Sequence, residues 1–154
     1  MPVHNIAPLW DENSKVLILG SFPSPRSREA GFFYAHPQNR FWKVLAALFE
    51  EPFPQSIEER KALALRHGIA LWDVVAECEI DGASDTSMTN ARPNDYSKIG
   101  GQVAAVFTTG KKATELYEKF TGKKAHYLPS PSPANCATSF AELIEAYAEI
   151  KKYL

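Results

Sequence analysis

A chain of 154 residues, 45% hydrophobic and 23% charged, has the size and composition of one folded domain spanning 1–154, with no repeat, low-complexity tract or domain linker. Its formal net charge of −1 excludes a global basic field, so any grip on nucleic acid must come from a local patch. Two cysteines, Cys78 and Cys136, supply neither a disulfide framework nor metal-ligand spacing, and no secretion signal or membrane-length apolar run is present, so the expectation is a cytoplasmic protein without membrane contact, metal or cofactor.

Lys15 to Gly20 (KVLILG) is an apolar run closed by glycine and predicts a buried strand. Ser21 to Pro37 reads as a long irregular stretch. A helix is predicted from Gln38 to Glu50, with Phe41, Leu45, Leu48 and Phe49 on one face. Ser56 and Glu59 form a capping box for a second helix that Gly68 stops. Ile69 to Val75 (IALWDVV) predicts the second strand. Cys78 to Pro93 is polar, long and without a strong pattern, the kind of loop that carries function. Val103 to Thr108 predicts the third strand. A helix follows Thr109-Gly110, with Ala113, Leu116, Tyr117 and Phe120 on one face and Gly122 at its end. Ala125 to Leu128 is a short fourth strand. After a Pro/Ser loop, Phe140, Leu143, Ile144 and Tyr147 recur at helical spacing.

Strands alternating with helices predict an α/β fold: a four-stranded parallel sheet covered by helices on both faces, a three-layer sandwich. In such sheets the ligand site lies beyond the carboxyl ends of the strands. The loops Ser21–Asn39, Asp73–Asp95 and Pro129–Asn135, rich in proline, asparagine, serine and aromatics, all leave those ends. They are expected to converge on one mouth.

Two of these loops carry motifs. Tyr34-Ala35-His36-Pro37-Gln38-Asn39-Arg40-Phe41-Trp42 resembles the Phe-Ala-His-Pro-x-Asn-Arg-Phe-Trp run of the mismatch-specific uracil glycosylases, and Leu128-Pro129-Ser130-Pro131-Ser132-Pro133 resembles the DNA-gripping His-Pro-Ser-Pro-Leu-Ser loop of the uracil-DNA glycosylase superfamily. The motifs stand at opposite ends of the chain in the expected order. Two positions depart from most relatives. Phe22 stands where the water-activating Asn or Asp is found, and Leu128 where a histidine stabilises anionic uracil in some branches. That double replacement, with Gly20-Ser21-Phe22-Pro23-Ser24 and the Pro/Ser run continuing into Ala134-Asn135, is similar to the hypoxanthine-DNA glycosylase family. The resemblance implies a uracil-DNA glycosylase-like fold, a catalytic role for Asn39 and weak or absent action on uracil.

Hydrolysing an N-glycosidic bond leaves a sugar with oxocarbenium character and a departing base carrying negative charge. The chemistry needs no metal, but the target base must leave the helix, stack on an aromatic and be replaced by a wedge. The expected base pocket is Gly20, Ser21, Phe22, Tyr34, Trp72, Asp73 and Asn90, with Asn39 and His36 as catalytic candidates. Ser24, Arg26, Ser27, Lys111, Lys112, Ser130, Ser132, Pro133 and Asn135 are the expected DNA contacts, the two lysines at a helix N-terminus that also favours phosphate.

Local readings compete at several positions. Asn39 could simply cap a helix, His36 could serve a turn, and Phe22 and Trp72 could fill the core. Asp73 could accept a proton from the base edge or cap a loop, and Asn94 could read the base or cap a helix. The expected activity is monofunctional hydrolysis of deaminated bases, hypoxanthine first, by a monomer acting on damaged DNA in base excision repair. The alternatives are a uracil or mixed-specificity glycosylase, a non-catalytic DNA-binding module and a hydrolase of free nucleosides.

Overall fold

The computed structural model describes residues 6–79, 88–100 and 103–154. In chain order its regular elements are β1 (Val16–Gly20), α1 (Pro25–Ala30), α2 (Phe41–Leu48), α3 (Ile57–Arg66), β2 (Ile69–Asp73), β3 (Val75–Glu79), β4 (Thr89–Pro93), β5 (Ala105–Thr109), α4 (Lys111–Thr121), β6 (His126–Leu128) and α5 (Phe140–Tyr147). Short 3-10 turns cover Tyr96–Lys98 and Ala148–Tyr153.

Four strands form a parallel sheet in the order β2-β1-β5-β6. Every residue of β1 and of β2 is buried, as continuous apolar runs require when helices cover both faces. The step from β1 to β2 through α2 and α3 runs one way across the sheet, and the step from β5 to β6 through α4 runs the other. Right-handed crossovers therefore put α4 on the face opposite α2 and α3. Helix α5 packs on α2, which returns the chain to the first face. Phe41 of α2 meets Tyr147 of α5 edge to face, and Trp42, Leu45 and Leu143 are likewise buried.

The structure corrects several sequence expectations. The irregular stretch Ser21 to Pro37 contains α1. Ser24 caps it by accepting from the Ser27 N–H, Pro25 supplies a first helical residue with preset φ, and Gly31 ends it at φ 69°. The next helix begins at Phe41 rather than Gln38, so Asn39 lies ahead of it and not in its first turn. Glu59 closes on the Gln55 N–H rather than completing the capping box with Ser56, whereas Ser139 and Glu142 form a complete box on α5. The second strand stops at Asp73. Much of the stretch read as patternless is the antiparallel ribbon β3–β4, whose two register shifts erase clean alternation; residues 80–87 lie outside the described residues. Phe140, placed on the apolar face of the last helix, is exposed.

Candidate active site

The parallel register brings the strand ends level. Gly20 of β1 is the partner of Asp73 of β2, and Thr109 of β5 is the partner of Leu128 of β6. A cavity of about 140 Å³ opens beyond this edge. An apolar cavity of about 150 Å³ holds one benzene ring, so the space suits a base rather than a whole nucleotide. Gly20, Ser21, Phe22, Ser24, Ser27, Tyr34, Asn39, Asp73, Ser130 and Ser132 line it, joined by Pro23, Phe33, Thr109 and Pro131.

The inner end is fixed by contacts across the sheet. A Cβ at Gly20 would stand 2.5 Å from Asp73 Oδ1 and 3.5 Å from the Tyr34 hydroxyl, so glycine makes room for the carboxylate. Asp73 is itself buried. Asn94 Nδ2 donates to the carbonyls of Asp73 (3.0 Å) and Val75 (3.2 Å), so it pins the strand end and does not read a base. The Tyr34 hydroxyl pairs with Thr109 Oγ1 at 3.2 Å. Its ring stacks on Phe41 at 4.0 Å, and its backbone sits at φ 53°, a left-handed conformation that a bulky residue adopts only when its surroundings hold it there. Burial, then the charge of Asp73, raise the phenol well above its ordinary pKa, and the Thr109 bond opposes them. Phe22 is buried, with the Arg28 guanidinium 5.4 Å from its ring centre.

Asn39 sits where the first loop turns into α2. Its Oδ1 accepts from the Phe41 N–H at 2.8 Å and its own N–H donates to the His36 carbonyl at 2.9 Å. The backbone donor on Oδ1 identifies the other amide atom as Nδ2, a donor. Asn39 thus lines the cavity while its Oδ1 braces the turn that leads into α2, whose N-cap is Arg40.

The far wall is Ser130 to Ser132 of the loop 129–139. Ser130 Oγ accepts from the Ser132 N–H, Ser132 Oγ accepts from the Ala134 N–H, and Asn135 Nδ2 donates to the Ser130 carbonyl at 2.9 Å. Tyr147 of α5 donates to the Pro129 carbonyl at 2.9 Å. From the opposite side, Arg40 donates to several carbonyls of the same loop.

Other predicted residues stand elsewhere. His36 is half-buried outside the cavity and accepts from the Gln38 N–H through Nδ1, a turn role. Trp72 is in the core and donates from Nε1 to the Ile6 carbonyl. It neighbours Asp73 on one strand, so the two side chains take opposite faces. Asn90 is exposed on β4 at φ 53° and donates to Glu79. Ser27 lines the cavity but is buried, its hydroxyl accepting from the Ala35 N–H at 3.1 Å, so it supports the first loop and cannot reach a DNA backbone. Asn135 lies behind the rim, turned back on its own loop. Arg26, Lys111 and Pro133 are exposed and Lys112 is half-buried; none lines the cavity.

The sequence reading missed Thr109 and Arg40. Thr109 is a polar residue at a strand's carboxyl end, a signal present in the pattern itself. Arg40 gives no such signal, because its partners lie 92 to 98 residues away.

Among the described residues no three His, Cys, Asp or Glu side chains form a metal-ligand group, and no helix is long and apolar enough to cross a membrane.

Comparison with known proteins gives a consistent picture. The model of the uracil DNA glycosylase superfamily matches residues 7–152. A hypoxanthine DNA glycosylase of Methanosarcina acetivorans is 34% identical over 132 residues, 81% of this chain and 83% of the relative. One from Methanosarcina barkeri is 32% identical over 142 residues, 88% of this chain and 89% of the relative. The solution NMR structure of a candidate uracil DNA glycosylase from Methanosarcina acetivorans superposes with a TM-score of 0.77 at 26% identity, covering 95% of this chain and 96% of that one.

Proposed function

The chain belongs to the uracil DNA glycosylase superfamily, and on that footing we propose that it is a monofunctional DNA glycosylase that hydrolyses the N-glycosidic bond of deaminated bases, hypoxanthine foremost. The observation that carries this reading is the placement of the Asn39 amide, the Asp73 carboxylate and the Ser130–Ser132 loop around one base-sized cavity.

The donors and acceptors suit a deaminated base. Deamination replaces an exocyclic amine, a donor, with a carbonyl, an acceptor. With Oδ1 held by Phe41, the amide of Asn39 keeps Nδ2 as a donor, which on this reading meets the base in the cavity that Asn39 lines. A donor aimed at the exocyclic position welcomes hypoxanthine or uracil and meets the amine of adenine or cytosine donor to donor. Guanine and thymine also carry carbonyls, but their intact pairing makes extrusion costlier than for a mispaired base.

The same atoms serve the bond cleavage. As the C1′–N bond breaks, its electron pair leaves with the base and negative charge builds on the base oxygen, where the Asn39 Nδ2 hydrogen bond strengthens. Positive charge builds on the sugar, where the Asp73 carboxylate stabilises it. Water adds to C1′; one of its protons passes to Asp73 and the departing base is protonated in turn. Asn39 thus stabilises the leaving group, and the water falls to Asp73, a division set by which atoms of Asn39 are already engaged. Among the described residues no lysine lines the cavity, which supports hydrolysis without an amine-linked, strand-nicking intermediate.

Duplexes carrying one hypoxanthine, uracil, xanthine or ethenoadenine, incubated with the protein and cleaved with alkali at the resulting abasic site, test this. Hypoxanthine should be released fastest, with EDTA without effect. Rapid uracil release with hypoxanthine left intact would transfer the assignment to the uracil-specific reading.

A further inference from the structure

We infer that Arg40 is a positioning residue that locks the 129–139 loop to Asn39, so that the loop seated on DNA and the amide facing the base move as one piece. Its effect on rate rests on the glycosylase reading; its effect on the loop does not.

The geometry is unusual for an arginine. Nη1 donates to the Thr138 carbonyl at 2.6 Å, Nη2 donates to the Asn135 carbonyl at 2.8 Å and, more weakly, to the Ser132 carbonyl at 3.4 Å. The backbone N–H of the same residue donates to the Pro131 carbonyl at 3.0 Å. Four carbonyls of one loop therefore converge on one residue. Among the described residues no carboxylate forms an ion pair with Arg40, whose charge also acts on the Tyr147 phenol. A planar fork with five fixed donors can span three carbonyls, and a lysine ammonium on a flexible stem cannot reproduce that span.

The other side of Arg40 has no slack. Asn39 precedes it and is held at both its backbone N–H and its Oδ1. Phe41 follows, fully buried as the first residue of α2 and stacked on Tyr34. A displacement of the loop therefore acts through Arg40 on the turn that orients Asn39. Tyr147 holds the Pro129 end of the loop; from Ser132 to Thr138 the loop is braced internally through Asn135 and tied to the start of α2 through Arg40.

The test uses Arg40→Lys and Arg40→Met in the full chain. Three quantities are read: amide hydrogen exchange, base release at saturating hypoxanthine duplex, and the salt dependence of binding to a duplex with a non-cleavable 2′-fluoro deoxyinosine. Exchange over residues 129–139 should accelerate by about tenfold or more in both variants while β1, β2 and β5 stay protected. The saturated single-turnover rate should fall by about tenfold or more, Arg40→Lys failing to rescue it, while the salt slope of binding stays within about half a unit of wild type. Unchanged loop exchange overturns the proposal whatever the activity. A normal saturated rate with a salt slope shallower by about one also overturns it and makes Arg40 a phosphate contact. If the wild-type chain releases no base while loop exchange shifts as expected, the clamp stands and the glycosylase reading falls. If Arg40→Met does not fold, Arg40→Lys decides the outcome alone.

Discussion

Gly20 and Asp73 face each other across β1 and β2, and the carboxylate of Asp73 occupies the space that any side chain at position 20 would need, with a Cβ only 2.5 Å from Oδ1. The glycine is therefore part of the acid's binding geometry. Gly20→Ala should push Asp73 off its rotamer, costing about 1–3 kcal/mol of stability as overpacking does. Base release should fall by about tenfold or more on the folded protein, the size of effect expected when a charged group is displaced from the reacting centre. Thermal melting and single-turnover assays on the same preparation check both.

Asn39 offers a cleaner separation of roles. Asn39→Asp keeps an oxygen for the Phe41 N–H and places a negative charge near a helix start, so the melting temperature should stay close to wild type. It removes the Nδ2 donor, so the rate should fall by about a hundredfold or more. Asn39→Ala should show the same rate loss together with about 1 kcal/mol of destabilisation. A near-normal rate for Asn39→Asp would remove the amide from the chemistry.

Tyr34 predicts an alkaline limit to stability. Its folded pKa is raised above the ordinary 10.0 by burial and by Asp73. Below pH 10 both folded and unfolded phenols keep their protons and the contribution is intact. Above it the unfolded chain releases a proton that the folded chain retains, and stability falls with a slope of up to about 1.4 kcal/mol per pH unit for one such group. Tyr34→Phe should make the stability profile between pH 9 and 11 less steep. A denaturant series across that range measures it.

Glu51 predicts the acid limb. Arg66, and then His67, hold its carboxyl down from 4.5 to about 2. The stabilisation is complete above pH 4.5 and is lost as pH falls through about 2, below which folded and unfolded forms are equally protonated. Glu51→Gln should therefore lower the melting temperature at neutral pH, and the gap to wild type should close as acid is added. A gap that does not narrow as pH falls from 5 to 2 would trace the loss to packing instead.

Lys111 lies exposed at the start of α4, two residues beyond Thr109 in the cavity wall. If it meets a phosphate, Lys111→Ala should weaken DNA binding irrespective of sequence and reduce the slope of log affinity against log salt by about one. The rate at saturating DNA should not change. Fluorescence anisotropy over a salt series reads the slope directly.

The sheet was legible because its strands are short apolar runs bounded by glycine or polar turns, and α4 because Gly122 ends it at φ 70°. Helix α1 was missed although Ser24, Pro25 and Gly31 mark both its ends, since its six residues carry no apolar stripe. The ribbon β3–β4 was hidden because Val75 extends the apolar run of β2 and the register shifts break the alternation beyond it. In the cavity, proximity in sequence misled at Trp72 and His36. One takes the opposite face of the strand from its neighbour Asp73, and the other folds back on the Gln38 amide. Arg40 was beyond reach for the reason opposite to Thr109: nothing local distinguishes an arginine that binds carbonyls from one that meets solvent.

The strand order has a consequence for how the protein is made. β1 is flanked by β2 and β5, so on a growing chain one of the two central strands is synthesised ahead of the other three and keeps a bare edge until residue 109 has emerged. At about 5–20 residues per second, roughly four to eighteen seconds of elongation separate the end of β1 from the end of β5. Throughout that interval VLILG offers an apolar, unpaired edge to any other nascent strand. The yield of folded protein should therefore respond to translation speed and to holding chaperones, even though the finished sheet buries that strand completely.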